Sequence, residues 1–296
     1  DLPRIDGTVI PGYVDTQVNG GGGVMFNHAT SYDSIKVMGN AHLQFGSTTL
    51  FPTLITDDIN TIEQAADAVA EAIADDHPSI LGVHFEGPYL NKDRKGVHSD
   101  TLIRGFEEKF LDLLKGGGLG TVLVTLAPEK VSEDYIRALC EAGVIVSAGH
   151  TAASLQQTRN AMKAGLTGFT HLYNAMPPML SREPGVVGAA LSEPNGYCGI
   201  IADGFHVDPA VLKATIAAKT PEKIMLVTDA MSVVGSEQDS FSLYGEIISV
   251  KGGRCATVDG TLAGSALTME QAVVNCMKLL NQPIDKAVKM ASQTPA

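Results

Sequence analysis

The chain lacks several things whose absence narrows what it can be. No stretch of its 296 residues approaches the roughly 18 apolar residues of a membrane span. Its 21 Lys and Arg stand against 33 Asp and Glu and form no basic cluster, which removes the footprint of a nucleic-acid binder. The net charge of -12 and pI near 5.0 still admit an anionic small ligand, because a site can carry its own local positive charge. Only four cysteines occur, Cys140, Cys198, Cys255 and Cys276, with no C-x-x-C pair. Each has apolar neighbours, so they read as buried free thiols in a reducing, cytoplasmic compartment. The run Gly20 to Gly23 lacks the G-x-G-x-x-G spacing of a dinucleotide fingerprint, and no helix opens after it. A mobile loop at the mouth of the fold is expected there. Linkers and low-complexity tracts are missing too, so residues 1–296 are expected to form one domain.

What is present is a rhythm of short apolar strands and amphipathic helices. Strands are predicted at Thr8 to Asp15, Ser47 to Phe51 (stopped by Pro52), Ile80 to Phe85 and Thr121 to Leu126. Four more are predicted at Gly143 to Ser147, Thr167 to Thr170, Tyr197 to Ala202 and Ile224 to Thr228. Helical spacing fills the gaps, with cap signals at Asp57-Asp58, Ser132-Glu133 and Asp208-Pro209. Phe241 to Val258 alternates around Gly252-Gly253 and predicts a β-hairpin insertion. Helices are predicted after it at Ala266 to Leu280 and Ile284 to Ala291. Eight strands alternating with helices in a chain of this length predict a (β/α)8 barrel of the TIM type rather than an open sheet of five or six strands.

The strand ends carry the chemistry. His150 and His171 close two successive strands joined by one helix, and Asp15, Glu86, His206 and Asp229 follow four others. Any one could be a satisfied rim residue. Several buried together would cost several kcal/mol unless a cation compensates. Neutral imidazoles in that position suit Zn²⁺ or Fe²⁺, so a metal-dependent enzyme is expected.

At these residues the chain resembles the amidohydrolase superfamily, and within it the N-acetylglucosamine-6-phosphate deacetylase family. The matching segments are PGYVDTQVNG (11–20), HFEGPYLN (84–91), KGVH (95–98), SAGHT (147–151), THLYNAMPPM (170–179), REPG (182–185), ADGFHVD (202–208), VTDAM (227–231) and LAGSALTM (262–269). They occur in family order along nearly the whole chain. The resemblance implies hydrolysis of the acetamide of N-acetyl-D-glucosamine 6-phosphate. It implies that Glu86, His150 and His171 hold one divalent metal, Zn²⁺ first with Fe²⁺, Co²⁺ or Mn²⁺ as alternatives, and leave a position open. It casts Asp229 as the acid/base and His98 as a group polarising the carbonyl. Val97, Asn174, the Ala175 backbone, Arg182 and His206 would hold the sugar and its phosphate, and Leu262, Ala263 and Gly264 a backbone contact to the sugar. A homodimer is expected by the same likeness.

Most amidohydrolases carry His-x-His at the end of strand one and bind a second metal there. Here Gln17-Val18-Asn19 takes that place, and amides are poor ligands beside imidazole, so the second site should be weak or absent. The missing His-x-His also disfavours the same-superfamily rival, a cyclic-amide hydrolase of the dihydroorotase type. A third reading is a non-catalytic sugar-phosphate sensor, which would have lost Asp229 or a ligand. The family's small β-sandwich, built from segments before and after the barrel, is expected to lie outside this sequence.

Overall fold

A computed structural model describes residues 6–296. Eight parallel strands run in the order β1 Tyr13–Val18, β2 Ser47–Ile55, β3 Gly82–Glu86, β4 Thr121–Leu126, β5 Ile145–Ala148, β6 Gly168–Phe169, β7 Tyr197–Ile200 and β8 Ile224–Leu226. A parallel bridge from Val18 to Ala230 brings the end of β1 to the chain leaving β8 and rounds the sheet into a barrel. Helices α1 Tyr32–Leu43, α2 Ile59–Ala74, α3 Glu108–Lys115, α4 Glu133–Glu141, α5 Leu155–Lys163, α6 Gly185–Ser192, α7 Pro209–Lys219, α8 Met269–Lys278 and α9 Ile284–Ala291 surround it. The architecture is the expected (β/α)8 barrel.

The helix starts follow from side chains that satisfy free N–H groups. Asp58 accepts from Asn60 and Thr61 at the head of α2, and Ser132 accepts from Tyr135 at the head of α4. Ser154 and Gln157 close a reciprocal capping box on α5. Asp208 caps α7, with Pro209 at its first position. Apolar faces of these helices and both faces of the strands form one core, with Phe85, Val124, Val146, Phe169, Ile200 and Leu226 among its fully buried members.

Four expectations need correction. The first strand spans Tyr13–Val18 instead of ending at Asp15, so Asp15 lies within the strand and Gln17 near its end. The second does not stop at Pro52 but continues to Ile55. The register of β1 on β2 shifts between Asp15 and Val18, and the Val18 N–H donates to the Thr53 hydroxyl at 2.8 Å, so the ladder bypasses the N–H that Pro52 lacks. Gly20 and Gly21 are buried and pair antiparallel with Val24 and Met25, a short ribbon rather than a free loop. The insertion after β8 is a three-stranded meander, β9 Ser240–Leu243, β10 Glu246–Lys251 and β11 Arg254–Ala256. Helix α6 had no expectation attached to it: its sequence, GVVGAALS, has no polar face to give a 3.6 period.

The meander has a small core of its own. Phe241, Leu243, Ile248 and Cys255 pack with Met25, Ile55, Met231 and Ala263, tying the insertion to the barrel rim. A bridge from Ala256 to Leu262 and another from Ala230 to Ser265 carry the following segment back beside Asp229.

Candidate metal and acid/base site

Glu86 is the last residue of β3, while His150 and His171 lie two residues beyond β5 and β6. The short βα register brings the three side chains to one point. The Glu86 Oε1 atom lies 3.1 Å from His150 Nε2 and 2.9 Å from His171 Nε2, and the two Nε2 atoms are 3.0 Å apart. All three residues are buried. His150, His171 and Asp229 have φ of 48°, 31° and 53°, so each adopts the sparsely populated left-handed conformation where it turns into the site.

The donor set fits a divalent cation. His150 Nδ1 donates to the Arg94 carbonyl at 2.9 Å, so in the neutral ring the Nε2 lone pair faces a carboxylate oxygen. Lone pairs aimed at one point repel unless a cation lies between them. Separations of 2.9–3.1 Å fall a few tenths short of the edge, about 3.3 Å, of a tetrahedral zinc shell with these ligands. Burial alone would raise the Glu86 carboxyl, but its neighbours His150 and His171 hold it well below the usual carboxylate range. Burial would lower His171, and the bond and charge of Glu86 raise it.

Opposite this cluster stands Asp229, at the end of the chain leaving β8. Burial, then the charge of Glu86, push its carboxyl up to about 6. Its Oδ1 accepts from Asn19 Nδ2 at 2.6 Å and from Gln17 Nε2 at 3.2 Å. Gln17 Nε2 also donates to Glu86 Oε2 at 3.2 Å, so one amide bridges the two carboxylates. The residues at the His-x-His position therefore hold the Asp229 carboxylate in place. Asp15 is absent from the site: it accepts from Thr228 Oγ1 at 2.6 Å inside the barrel, and burial pushes its carboxyl up to about 7.

A pocket of about 340 Å³ opens over this centre. Among the expected residues, Glu86, Val97, His98, His150, His171, Asn174, Ala175, His206, Asp229, Leu262 and Gly264 line it. Ala263 lies beneath the wall and is fully buried. Arg182 is exposed on the 177–184 loop and does not line the pocket. His206 is held by its own turn, with Nδ1 donating to Asp203 Oδ2 at 2.6 Å. His98 stacks edge-on against His150 with ring centroids 4.3 Å apart; burial first, then the charge of His150, push it well below the ordinary histidine value.

Asn19, Arg94, Thr261 and Met231 also line the pocket, and the sequence reading had given them no part in holding a ligand. Asn19 could have been found from its place in the His-x-His slot, since an amide that replaces a ligand must bond something else nearby. Arg94 does not pair with Glu86; its carbonyl receives His150 instead.

The sequence matches the amidohydrolase family over residues 8–296. It is 47% identical over 290 residues to the N-acetylgalactosamine-6-phosphate deacetylase of Shewanella sp. (strain ANA-3), covering 98% of this chain and 74% of that protein. The crystal structure of N-acetylglucosamine-6-phosphate deacetylase from Pasteurella multocida superimposes with a TM-score of 0.93 at 37% identity, covering 97% of this chain and 76% of that one. A mutant of N-acetyl-D-glucosamine-6-phosphate deacetylase from Mycobacterium smegmatis, in complex with N-acetyl-D-glucosamine-6-phosphate, matches with a TM-score of 0.86 at 34% identity, covering 95% and 74%.

Proposed function

The chain belongs to the amidohydrolase family, among its amino-sugar-phosphate deacetylases, and from that premise we propose that it hydrolyses the acetamide of N-acetyl-D-glucosamine 6-phosphate to D-glucosamine 6-phosphate and acetate, in amino-sugar catabolism. The observation that carries this reading is the convergence of Glu86, His150 and His171 opposite Asp229 in one pocket. One divalent cation per chain, Zn²⁺ before Fe²⁺, Co²⁺ or Mn²⁺, held by those three residues, would supply Lewis-acid polarisation and make water a nucleophile at neutral pH. Asp229 takes the proton from the attacking water and delivers it to the departing nitrogen as the C–N bond breaks. Both amide donors bind its Oδ1 atom, which leaves Oδ2 for that proton. His98, beside His150, meets the acetamide; Asn174, Ala175 and the Leu262 to Gly264 backbone hold the sugar. Arg182 and His206 serve the 6-phosphate, and the working unit is a cytoplasmic homodimer.

Retention of every ligand and of Asp229 speaks against a sugar-phosphate sensor, and the amides at the first strand against a dihydroorotase type. A second substrate reading has a specific support: the Shewanella relative, 47% identical, is named for the 4-epimer, N-acetylgalactosamine 6-phosphate. Acetate release from both epimers, with and without chelator, tests the proposal. Turnover of the glucosamine substrate, abolished by chelator and restored by metal, is expected. Turnover of the galactosamine epimer alone would move the substrate assignment, and none with either would remove the activity.

A further inference from the structure

Glu129 lies on the short 3-10 turn Pro128–Lys130 that follows β4, the strand flanked by β3 and β5. It does not line the pocket. Its carboxylate is nonetheless occupied by three donors. Oε1 accepts from Asn91 Nδ2 at 2.8 Å and from the Ala152 N–H at 2.7 Å, and Oε2 accepts from the Thr151 hydroxyl. Those partners belong to the segments leaving β3 and β5, so one side chain ties together the loops on either side of its own strand.

Both arms lead to His150. Thr151, which is fully buried, and Ala152 are the next two residues along the chain. Asn91 donates its own N–H to the His150 carbonyl at 2.9 Å. It also starts the 3-10 turn Lys92–Arg94, where its Oδ1 accepts from the Asp93 N–H at 2.9 Å and its carbonyl from the Arg94 N–H at 2.8 Å. That turn carries the Arg94 carbonyl that receives His150 Nδ1. The backbone of His150 and the outer edge of its ring are thus held by partners of Glu129. A hold of this kind is needed there, since a φ of 48° is kept by a residue with a Cβ only where its surroundings over-determine it. The chemistry suits a carboxylate: three donors converge, and a group with lone pairs and no proton to place satisfies them all.

We propose that Glu129 is a positioning residue for His150, bracing the loops after β3 and β5 so that Nε2 is already aimed at the point it shares with Glu86 and His171. The inference rests on the metal reading given above. Without the carboxylate, Thr151, Ala152 and Asn91 lose a common anchor, and His150 can relax out of its left-handed conformation. The three ligands are then no longer preset, and the cost falls on metal affinity first.

Chelator competition for Zn²⁺, run on the wild type and on variants, tests this. Glu129→Ala should weaken Zn²⁺ binding about 10–100-fold, the range seen when an outer partner of a metal ligand is removed. Excess Zn²⁺ should restore most of the acetate release, since mass action refills a weakened site. Glu129→Gln keeps an oxygen for Asn91 and Ala152, so its affinity should fall between those of wild type and Glu129→Ala. Ser154→Ala is the structural control: it removes the side-chain cap of α5, a short way beyond His150, without touching Glu129. It should lower the melting temperature and leave Zn²⁺ affinity as in the wild type. Wild-type affinity in Glu129→Ala, or an equal loss in Ser154→Ala, would overturn the positioning role. Should Glu129→Ala fail to fold, Asn91→Ala removes one arm of the brace and decides in its place: weaker Zn²⁺ binding is expected, and unchanged binding overturns the role. A wild type that holds no divalent cation in the same titration would remove the metal reading, and the inference with it.

Discussion

The two halves of the barrel rim use different chemistry over the same small area. On the side of β3, β5 and β6, a carboxylate and two imidazoles converge to within 3.1 Å of one another, with donor atoms pointed at a common centre. On the side of β1, Gln17 and Asn19 point at Asp229 and Glu86 with N–H groups. The first half is built of lone pairs and calls for a cation. The second is built of donors and needs none, because its amides already satisfy the carboxylates. The difference teaches that an amide at a ligand position is more than a lost ligand. It puts a hydrogen-bonded clamp on Asp229 where a second metal ligand pair would stand.

The largest effect should come from the residue the clamp holds. Asp229→Asn keeps the charge pattern of the three ligands, so metal content should be unchanged, but it removes the proton carrier. General acid/base groups contribute roughly 10²–10⁴-fold, and one residue serving both steps should cost at least that in kcat. The wild-type pH profile should agree. As a base Asp229 works as the carboxylate, so activity falls as pH drops through its pKa, which burial and Glu86 set at about 6. A bound cation pulls that value down, placing the acid limb at 6 or below. Near wild-type turnover in Asp229→Asn would make the clamp incidental and shift the proton transfer to another group.

The sequence carried the barrel because its signals are local: strand runs, caps and a repeating βα alternation are visible residue by residue. It brought Glu86, His150 and His171 together as candidate ligands because strand ends in a barrel share one rim. It misplaced Asp15, because the alternation in YVDTQV does not tell which acid or amide sits at the mouth until the register on β2 is known. It also missed the contacts of Thr56, which reach 42 residues to His98 and 188 to Tyr244. Links of that length come from tertiary packing, and no periodicity reports them.

A second experiment sharpens the contrast between the halves by rebuilding one as the other. Gln17→His with Asn19→His puts imidazoles where the donors were, and elemental analysis after reconstitution should rise from about one divalent ion per chain to two. Asp229 would lose both of its Oδ1 partners in the same variant, so turnover should fall even as metal is gained. Two equivalents already present in the wild type would break the comparison, since the amide half would then hold a metal without imidazole.

The smallest effect is expected outside both halves, at Arg182. Its loop carries Met179 and Leu180, 54% and 57% exposed, and Arg182 itself faces solvent beyond the pocket lining. His206, by contrast, lines the pocket with its ring fixed by Asp203. A charge-assisted contact between guanidinium and phosphate is worth about 1.5–3 kcal/mol when well shielded, and exposure takes it toward the lower end. Arg182→Ala should therefore cost about tenfold in kcat/KM for the 6-phosphate substrate, or about 1.4 kcal/mol. The unphosphorylated sugar, which has no group to pair with it, should react as before. Phosphate binding acts through positioning rather than on the reacting bond, so the loss should sit mainly in KM. If both substrates lose equally, Arg182 supports the 177–184 loop, and His206 is left as the group that reads the phosphate.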